Sequence, residues 1–143
     1  NGDEIKAFFS RDGLGLKMLA RSGVKLAIIT GRDSPIVTRR AENLGIKLVL
    51  QGIENKRAAL ASLLEAEQLE FAQAGYMGDD VVDMPAMALC AMSFAPSDAL
   101  EIVKEKADYV TKLSGGKGAV REAVEVILKN EGLYDEVMKR YAV

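Results

Sequence analysis

The feature of this sequence that most constrains its fold is the alternation of short apolar runs with longer amphipathic stretches. Two runs rich in β-branched residues, 24–29 and 46–50, are followed by further runs at 74–77, 90–95 and 107–111. Their apolarity is largely continuous, which is typical of strands covered on both faces in a parallel sheet. The alternation predicts an α/β fold, a Rossmann-like parallel sheet with helices on both faces.

The amphipathic stretches carry start and stop signals of helices. Ser34, followed by Pro35, predicts a helix N-cap, as do Asn55 and Ser97. Gly45 stands where a glycine is expected after a helix end. The predicted helices span 14–21, 34–44, 55–67, 97–106, 119–129 and 134–141. Since no linker or repeat interrupts this pattern, we expect one domain over residues 1–143.

Composition excludes several classes of function. The 143 residues include 19 basic and 21 acidic side chains, without the basic excess of a general nucleic-acid binder. No apolar run approaches the length of a membrane-spanning helix. Histidine is absent, which excludes Ser-His-Asp and Cys-His triads and the usual zinc sites. The single Cys90 excludes an internal disulfide in this chain and favours a cytoplasmic protein.

Polar residues follow three of the apolar runs, where the carboxyl ends of parallel strands collect ligands. They are Thr30, Arg32, Lys56, Asp79, Asp80 and Asp83. A hydroxyl, two cations and a carboxylate cluster are what a phosphoryl site with Mg²⁺ uses, because Mg²⁺ takes one or two carboxylates plus phosphate and water. The sequence therefore predicts a phosphoryl site with Mg²⁺ at this edge of the sheet.

Each of these residues also has a purely structural interpretation. Thr30 could belong to an ordinary turn, and Lys56 could be a solvated lysine in a first helical turn. Asp80 or Asp83 could cap the helix that starts near residue 85. Asp79 directly follows an apolar strand and has no evident structural need for a charge, which favours a functional role.

Two glycine-containing segments are considered as possible ligand-binding loops, and neither is a strong candidate. Residues 13–18 lack the third glycine of a dinucleotide fingerprint, so a Rossmann cofactor site is not expected. Residues 114–118 precede a predicted helix and could hold an anion through backbone amides and Lys117, or could form a flexible loop. Cys90 lies in an apolar context and is expected to be a small buried side chain.

In chain order, the motifs resemble those of the haloacid dehalogenase superfamily, and most specifically its capless phosphatases of 3-deoxy-D-manno-octulosonate (KDO) 8-phosphate. The matching segments are 2–8 (GDEIKAF), 11–15 (RDGLG), 27–32 (AIITGR), 51–52 (QG), 55–56 (NK), 78–83 (GDDVVD), 107–111 (ADYVT) and 115–122 (GGKGAVRE). The resemblance implies a Mg²⁺-dependent phosphoric monoester hydrolase without a cap domain. Its substrate would be a phosphorylated sugar acid on the route to lipopolysaccharide, and it would assemble as a homotetramer.

The resemblance also implies roles for individual residues. Thr30 would bind the transferring phosphoryl group, and Lys56 would hold phosphate and the catalytic carboxylate together. Asp79 would ligate Mg²⁺, with Asp80 and Asp83 in support. The residues implied in substrate binding are Arg11, Asp12, Gly13, Lys17, Arg32, Arg40 and Lys56.

The sequence departs from the family pattern in three places. Phe9-Ser10 stands where Asn is expected, and Lys117 stands where Arg is usual. The Asp-x-Asp-Gly motif, which carries the nucleophile and the general acid/base, is absent from residues 1–143. Asn1-Gly2 is a hairpin-turn signal without a strand before it, and residues 4–9 are strand-like. We therefore expect the remnant of an N-terminal β-hairpin, with the missing motif upstream, and an inactive isolated fragment.

Two other functions fit parts of the pattern. One is a phosphatase of another sugar-acid phosphate, such as a nine-carbon 9-phosphate. The other is a non-catalytic assembly domain like those fused to sialic-acid nucleotide synthetases. The combination of Thr30, Lys56 and Asp79 disfavours the second, because an assembly domain has no use for all three.

Overall fold

The structure, a computed structural model, describes residues 10–141, and its strands form two parallel sheets. The strands are β1 (Ala27–Ile29), β2 (Leu48–Leu50), β3 (Gly75–Met77), β4 (Met92–Ala95) and β5 (Tyr109–Val110). β1 pairs with β2, and the second sheet has the order β3-β4-β5. The α/β class with parallel strands is confirmed. Within the described residues the strands form two parallel sheets where the sequence predicts one, since no hydrogen-bonded strand pair joins β1 or β2 to β3, β4 or β5.

Within residues 10–141 there are seven α-helices, of which the first precedes β1 and the others lie between or after the strands. They are α1 (Ser10–Arg21), α2 (Pro35–Leu44), α3 (Lys56–Ala66), α4 (Met84–Met87), α5 (Glu101–Lys106), α6 (Ala119–Asn130) and α7 (Tyr134–Met138). None of them is both long enough and apolar enough to cross a membrane. Two short 3-10 turns, Phe71–Gln73 and Val81–Asp83, have no counterpart in the predicted elements.

The predicted caps of α2 and α3 are confirmed. Ser34 Oγ accepts a hydrogen bond from the Ile36 amide, and Asn55 Oδ1 accepts one from the Ala58 amide. Gly45 ends α2 in the left-handed conformation, with φ of 73°. These signals are reliable because they act within a few residues of backbone.

The predicted start of α5 at Ser97 is wrong. The Ala99 amide donates to Pro96 O, so these residues form a turn, and the helix begins only after Leu100. The Leu100 amide donates to Asp79 O at 3.2 Å, which ties this turn to the loop after β3. The predicted hairpin remnant at residues 1–9 lies outside the described residues.

α1 and α6 pack closely because α1 carries glycine where the helices meet. A Cβ on Gly15 would lie 3.2 Å from Arg121 Cα, closer than most side chains tolerate. The buried residues between the helices are Met18, Leu19, Val124 and Leu128. Gly15 therefore allows the close packing of α1 on α6.

A second apolar cluster links the two sheets through α3. Its buried members are Leu60, Leu64 and Ala86. Ile29 of β1 and Tyr76 of β3 both pack against it. Burial of this face orients α3, so its first residue, Lys56, lies near the ends of strands from both sheets. Cys90 also packs here, although it is only partly buried rather than buried as predicted, and burial raises its pKa to about 11.

Candidate active site

The centre of the candidate site is the buried carboxylate of Asp83, which accepts four hydrogen bonds. Oδ1 accepts from Lys56 Nζ at 2.8 Å and from the Tyr76 hydroxyl at 3.0 Å. Oδ2 accepts from the backbone amides of Asp79 at 3.0 Å and Asp80 at 3.1 Å. The carboxylate thus joins the start of α3, strand β3 and the loop that follows β3.

The loop after β3 folds back on itself because residue 78 has no side chain. A Cβ on Gly78 would lie 2.3 Å from Asp83 Cβ, a distance that real contacts do not show. Asp80 caps the turn Val81–Asp83 by accepting from the Val81 amide at 2.7 Å. Of the two candidate caps near α4, Asp80 therefore caps the preceding turn, while Asp83 makes no side-chain cap bond to the helix.

The acidic groups of this loop differ in electrostatic state. Burial raises the pKa of Asp83, but the bonds from Lys56 and from the amides of Asp80 and Asp79 outweigh it and hold the pKa below its usual value. Partial desolvation raises the pKa of Asp79, and the negative charges of Asp83 and Asp80 add to this shift, which Lys56 partly offsets. Asp79 is thus an exposed carboxylate crowded by like charges, and a bound cation would stabilise its ionised form.

The loop after β1 is held by backbone hydrogen bonds. The Thr30 amide donates to Leu50 O at 2.9 Å, and the Ile53 amide donates to Thr30 O at 3.0 Å. Thr30 Oγ1 accepts from the Arg32 amide at 3.1 Å. Because Ile53 is only three positions before Lys56, these bonds connect the end of β1 to the start of α3.

The structure tests whether these residues suit Mg²⁺. Within residues 10–141 no three His, Cys, Asp or Glu side chains form a metal-binding group. The resemblance places Asp83 beside the metal carboxylates; in the structure its oxygens accept four hydrogen bonds that anchor the loop, and its part in metal binding stays a prediction. Asp79 is exposed, and Asp80 uses one oxygen as a cap. One or two carboxylates is the number that Mg²⁺ takes from protein in phosphoryl sites, so the residues fit this ion.

A family model for haloacid dehalogenase-like hydrolases matches residues 49–123, which include Lys56 and the whole loop after β3. The chain belongs to this family. The family fold that the motifs implied is therefore confirmed.

Relatives of this hydrolase share its sequence over most of its length. It is 46% identical over 132 residues to the 3-deoxy-D-manno-octulosonate 8-phosphate phosphatase KdsC of Haemophilus influenzae, covering 92% of this chain and 73% of that protein. It is 42% identical over 136 residues to KdsC of Escherichia coli K12, covering 95% of this chain and 72% of that protein.

Solved structures agree with the sequence relatives. The phosphatase of Moraxella catarrhalis, crystallised with magnesium ion, phosphate ion and KDO, superposes with a TM-score of 0.92 at 40% identity. That match covers 95% of this chain and 78% of the other. The cobalt-bound enzyme of Haemophilus influenzae gives a TM-score of 0.86 at 44% identity, covering 90% of this chain and 75% of the other.

The hydrolase uses Asp12, one of the residues implied in substrate binding, to hold its helices together. Asp12 is 6% exposed. Its carboxylate accepts from the Gly118 amide at 3.2 Å and from the Arg121 amide at 2.8 Å. Both oxygens thus bond the start of α6, and this contact does not place Asp12 with Lys56 and Asp79.

The other residues implied in substrate binding are only partly located. Gly13 lies under Arg40, since a Cβ there would be 2.9 Å from the Arg40 Nη2 atom. Lys17 and Arg32 are exposed. The side chain of Arg11 is not among those that the structure describes. Substrate contact by these residues stays a prediction.

The loop at residues 114–118 is an ordered turn whose amides are already bonded. The Gly115 amide donates to Asp98 Oδ1 at 2.8 Å, and the Gly118 amide donates to Asp12. The Lys117 amide donates to Ser114 O at 3.0 Å. These bonds leave the three amides unavailable to an anion, so the anion-binding interpretation of this loop is wrong for them.

A groove of about 500 Å³ lies along α6 beside β5, away from the Asp83 network. Arg121 Nε bonds Glu125 Oε2 at 2.8 Å in its wall. Glu122 accepts from the Tyr109 hydroxyl and from the Lys112 amide, each at 2.9 Å. Arg121 and Glu125 pair with each other, Glu122 is held by a hydroxyl and backbone amides, and Lys129 lies over the Tyr134 ring, so this groove lacks the crowded carboxylates found at the end of β3.

Sequence reasoning missed two residues that shape the site. Tyr76 appeared only as part of an apolar run, and nothing in that pattern signals a bond to Asp83. Gln51 appeared only within a family motif. Its Oε1 accepts from the Ser34 amide and its Nε2 donates to Thr38 Oγ1, both at 2.7 Å, so it fastens the start of α2 to the end of β2.

Proposed function

We propose that this hydrolase is a Mg²⁺-dependent phosphatase that converts KDO 8-phosphate to KDO and inorganic phosphate. The observation that carries the proposal is the Lys56–Asp83–Asp79 arrangement at the end of β3. Relatives 42–46% identical to the chain are named as phosphatases of this substrate, which supports the choice of sugar acid.

Lys56 and Thr30 are proposed to contact the phosphoryl group. An ammonium has three N–H donors, and one of those on Lys56 is directed to Asp83, which leaves two for phosphoryl oxygens. The Thr30 hydroxyl can donate to the same group because its oxygen accepts, rather than donates, in the bond from Arg32. Preorganised donors of this kind stabilise charge that develops during transfer.

Asp79, with Asp80 beside it, is proposed to hold the metal. Bound Mg²⁺ supplies charge neutralisation at the phosphoryl oxygens. Asp83 contributes by fixing the backbone amides of Asp79 and Asp80, which sets the direction of the Asp79 carboxylate. Neither Asp79 nor Asp83 is placed to attack phosphorus, since one is assigned to the metal and the other is buried under four donors. The nucleophile is accordingly proposed to be the Asp of an Asp-x-Asp-Gly motif.

The test is phosphate release from KDO 8-phosphate by the full-length gene product, with and without a chelator of Mg²⁺. A nine-carbon sugar acid 9-phosphate and a simple aryl phosphate serve as comparison substrates. We expect the highest kcat/KM for KDO 8-phosphate, complete loss with chelator and recovery on adding Mg²⁺. A higher kcat/KM for the nine-carbon compound would show that it, and not KDO 8-phosphate, is the preferred substrate. Absence of turnover on all three compounds would contradict the proposed phosphatase activity.

Residues 1–143 alone provide a second sample in the same assay. Because they contain no Asp-x-Asp-Gly motif, we expect at most weak residual release from them. Turnover equal to that of the full-length product would contradict the proposed nucleophile.

We also propose a homotetramer in the cytoplasm. Apolar side chains near the site, Val81, Val82 and Leu100, are about half exposed and are suited to cover by a neighbouring subunit. A single cysteine suits a reducing compartment. Light scattering of the full-length product measures the assembly, and a strictly monomeric species would contradict it.

A further inference from the structure

The geometry points to Tyr76 as a positioning residue that sets Lys56 and the Asp79–Asp80 backbone through the Asp83 carboxylate. This inference rests on the proposed function, because it assigns those groups to phosphoryl transfer. Tyr76 is not itself assigned a contact with the phosphoryl group or the metal, because its hydroxyl donates to Asp83. Its hydroxyl acts on the residues that do.

Gly78 directly follows β3 and continues its hydrogen bonding, because its amide donates to Phe94 O at 3.0 Å. Tyr76 and Gly78 are two positions apart along this extended chain and so face the same side. Gly78 has no side chain on that face, and Asp83 fills the space. Tyr76 is the next residue along the face, so its hydroxyl reaches the carboxylate that lies over Gly78. Both residues therefore fix the position of Asp83: Gly78 leaves room for its side chain, and Tyr76 donates a hydrogen bond to its carboxylate.

The phenol ring is itself fixed by packing. Tyr76 contacts the cluster of Leu60, Leu64 and Ala86 and also the cluster around Met87. A ring held between two apolar clusters presents its hydroxyl in one place at little entropic cost. The Tyr76 hydroxyl is therefore held in a fixed position, from which it can orient the carboxylate of Asp83 in the turn Val81–Asp83.

The hydroxyl shares Asp83 Oδ1 with Lys56, at 3.0 Å and 2.8 Å respectively. A second donor on this oxygen compensates part of its charge and restrains rotation of the carboxylate. Without it, Lys56 is the sole partner of Oδ1 and is drawn toward Asp83, away from the phosphoryl group. Rotation of the carboxylate would also loosen Oδ2 from the Asp79 and Asp80 amides.

The test is Tyr76→Phe in the full-length gene product, which keeps the ring and removes the hydroxyl. The matched control is Tyr109→Phe, because the Tyr109 hydroxyl donates to another carboxylate, Glu122, at 2.9 Å. Four quantities are measured in each variant: kcat for KDO 8-phosphate, KM for the same compound, Mg²⁺ affinity by calorimetry without substrate, and hydrogen exchange of individual backbone amides.

For Tyr76→Phe we expect kcat to fall about tenfold with a smaller change in KM, as for loss of one hydrogen bond to a charged group. Mg²⁺ affinity should fall several-fold, and exchange should accelerate at the Asp79 and Asp80 amides more than in α1 and α6. Tyr109→Phe should leave these quantities near their original values. In an Asp83→Asn background, Tyr76→Phe should add little, because the carboxylate through which it acts is gone.

Equal effects of Tyr76→Phe and Tyr109→Phe, or uniformly faster exchange across the fold, would assign Tyr76 a general stabilising role and overturn the inference. Unchanged kcat, Mg²⁺ affinity and exchange would overturn it as well. Calorimetry and hydrogen exchange contain no substrate. They therefore decide the role of Tyr76 even if KDO 8-phosphate is not the substrate.

Discussion

Lys56 Nζ lies 2.8 Å from Asp83 Oδ1, and this ion pair joins the first residue of α3 to the turn after β3. The side chains are only 13% and 5% exposed. Removing one partner of such a pair leaves the other charge buried and uncompensated, which costs far more than loss of a surface pair. The pair is therefore both a structural contact and the means of orienting the proposed catalytic lysine.

Asp83→Ala should destabilise the protein strongly. We expect a loss of about 3 kcal/mol in the free energy of unfolding, because Lys56, Tyr76 and two backbone amides lose their acceptor. Urea denaturation measures it. The control is Glu67→Ala, which breaks the exposed Lys25–Glu67 pair at 2.7 Å and should cost less than about 1 kcal/mol. Equal losses in the free energy of unfolding for the two variants would show that the buried Asp83 network stabilises the protein no more than an exposed ion pair does.

Gly78→Ala should displace Asp83 and lower activity. The added Cβ would be 2.3 Å from Asp83 Cβ, so the turn must shift, at a cost of about 1–3 kcal/mol. Gly75→Ala is the control, because among residues 10–141 a Cβ there would meet Met92 O at 3.6 Å, an ordinary contact. Comparable kcat and melting temperatures for the two variants would contradict the packing of Asp83 over residue 78.

Asp79→Asn should abolish Mg²⁺-dependent activity while stabilising the metal-free protein at neutral pH. The pKa of Asp79 is raised in the folded state, so its ionised form is disfavoured there relative to the unfolded chain. The penalty is absent below the unfolded pKa, where the group is protonated in both states, and develops as pH rises through the folded pKa. The stability difference between Asp79→Asn and wild type should therefore vanish in acid.

Thermal unfolding from pH 3 to pH 8 in chelator measures this difference. The sign is opposite for Asp83, whose lowered pKa contributes stability that is lost as pH falls through the folded pKa. If Asp79→Asn proves less stable than wild type at pH 7 without metal, the proposed crowding of charge at Asp79 is incorrect.

Gln51→Ala should raise KM for the phosphorylated substrate several-fold with little loss of stability. It removes the bonds at 2.7 Å to the Ser34 amide and Thr38 Oγ1 that fasten the segment just after the Thr30–Arg32 loop. Gln73→Ala is the control, since the Gln73 side chain accepts from the Glu70 amide at 3.0 Å within its own short turn. A KM unchanged in both variants would show that Gln51 does not position the Thr30–Arg32 loop for substrate binding.

Features that depend on contacts within a few residues of the chain can be predicted from the sequence better than features that depend on distant contacts. Ser34, Asn55 and Gly45 were identified correctly because a cap bonds backbone within a few residues. Ser97 was identified incorrectly because a turn and a helix cap favour the same polar residues, and the bond from the Ala99 amide to Pro96 O decided between them.

By itself, the sequence determined the α/β class, the parallel strands, most helix starts and the family, since periodicity, caps and motif spacing are local patterns. Only the tertiary structure decided that Asp83 is a buried anchor, that Asp12 caps α6 and that Tyr76 donates to a carboxylate. Asp12 and its partner Gly118 are 106 positions apart, and Lys56 and Asp83 are 27 apart. Such contacts follow from how apolar faces pack around α1, α3 and α6, which no single stretch of sequence encodes.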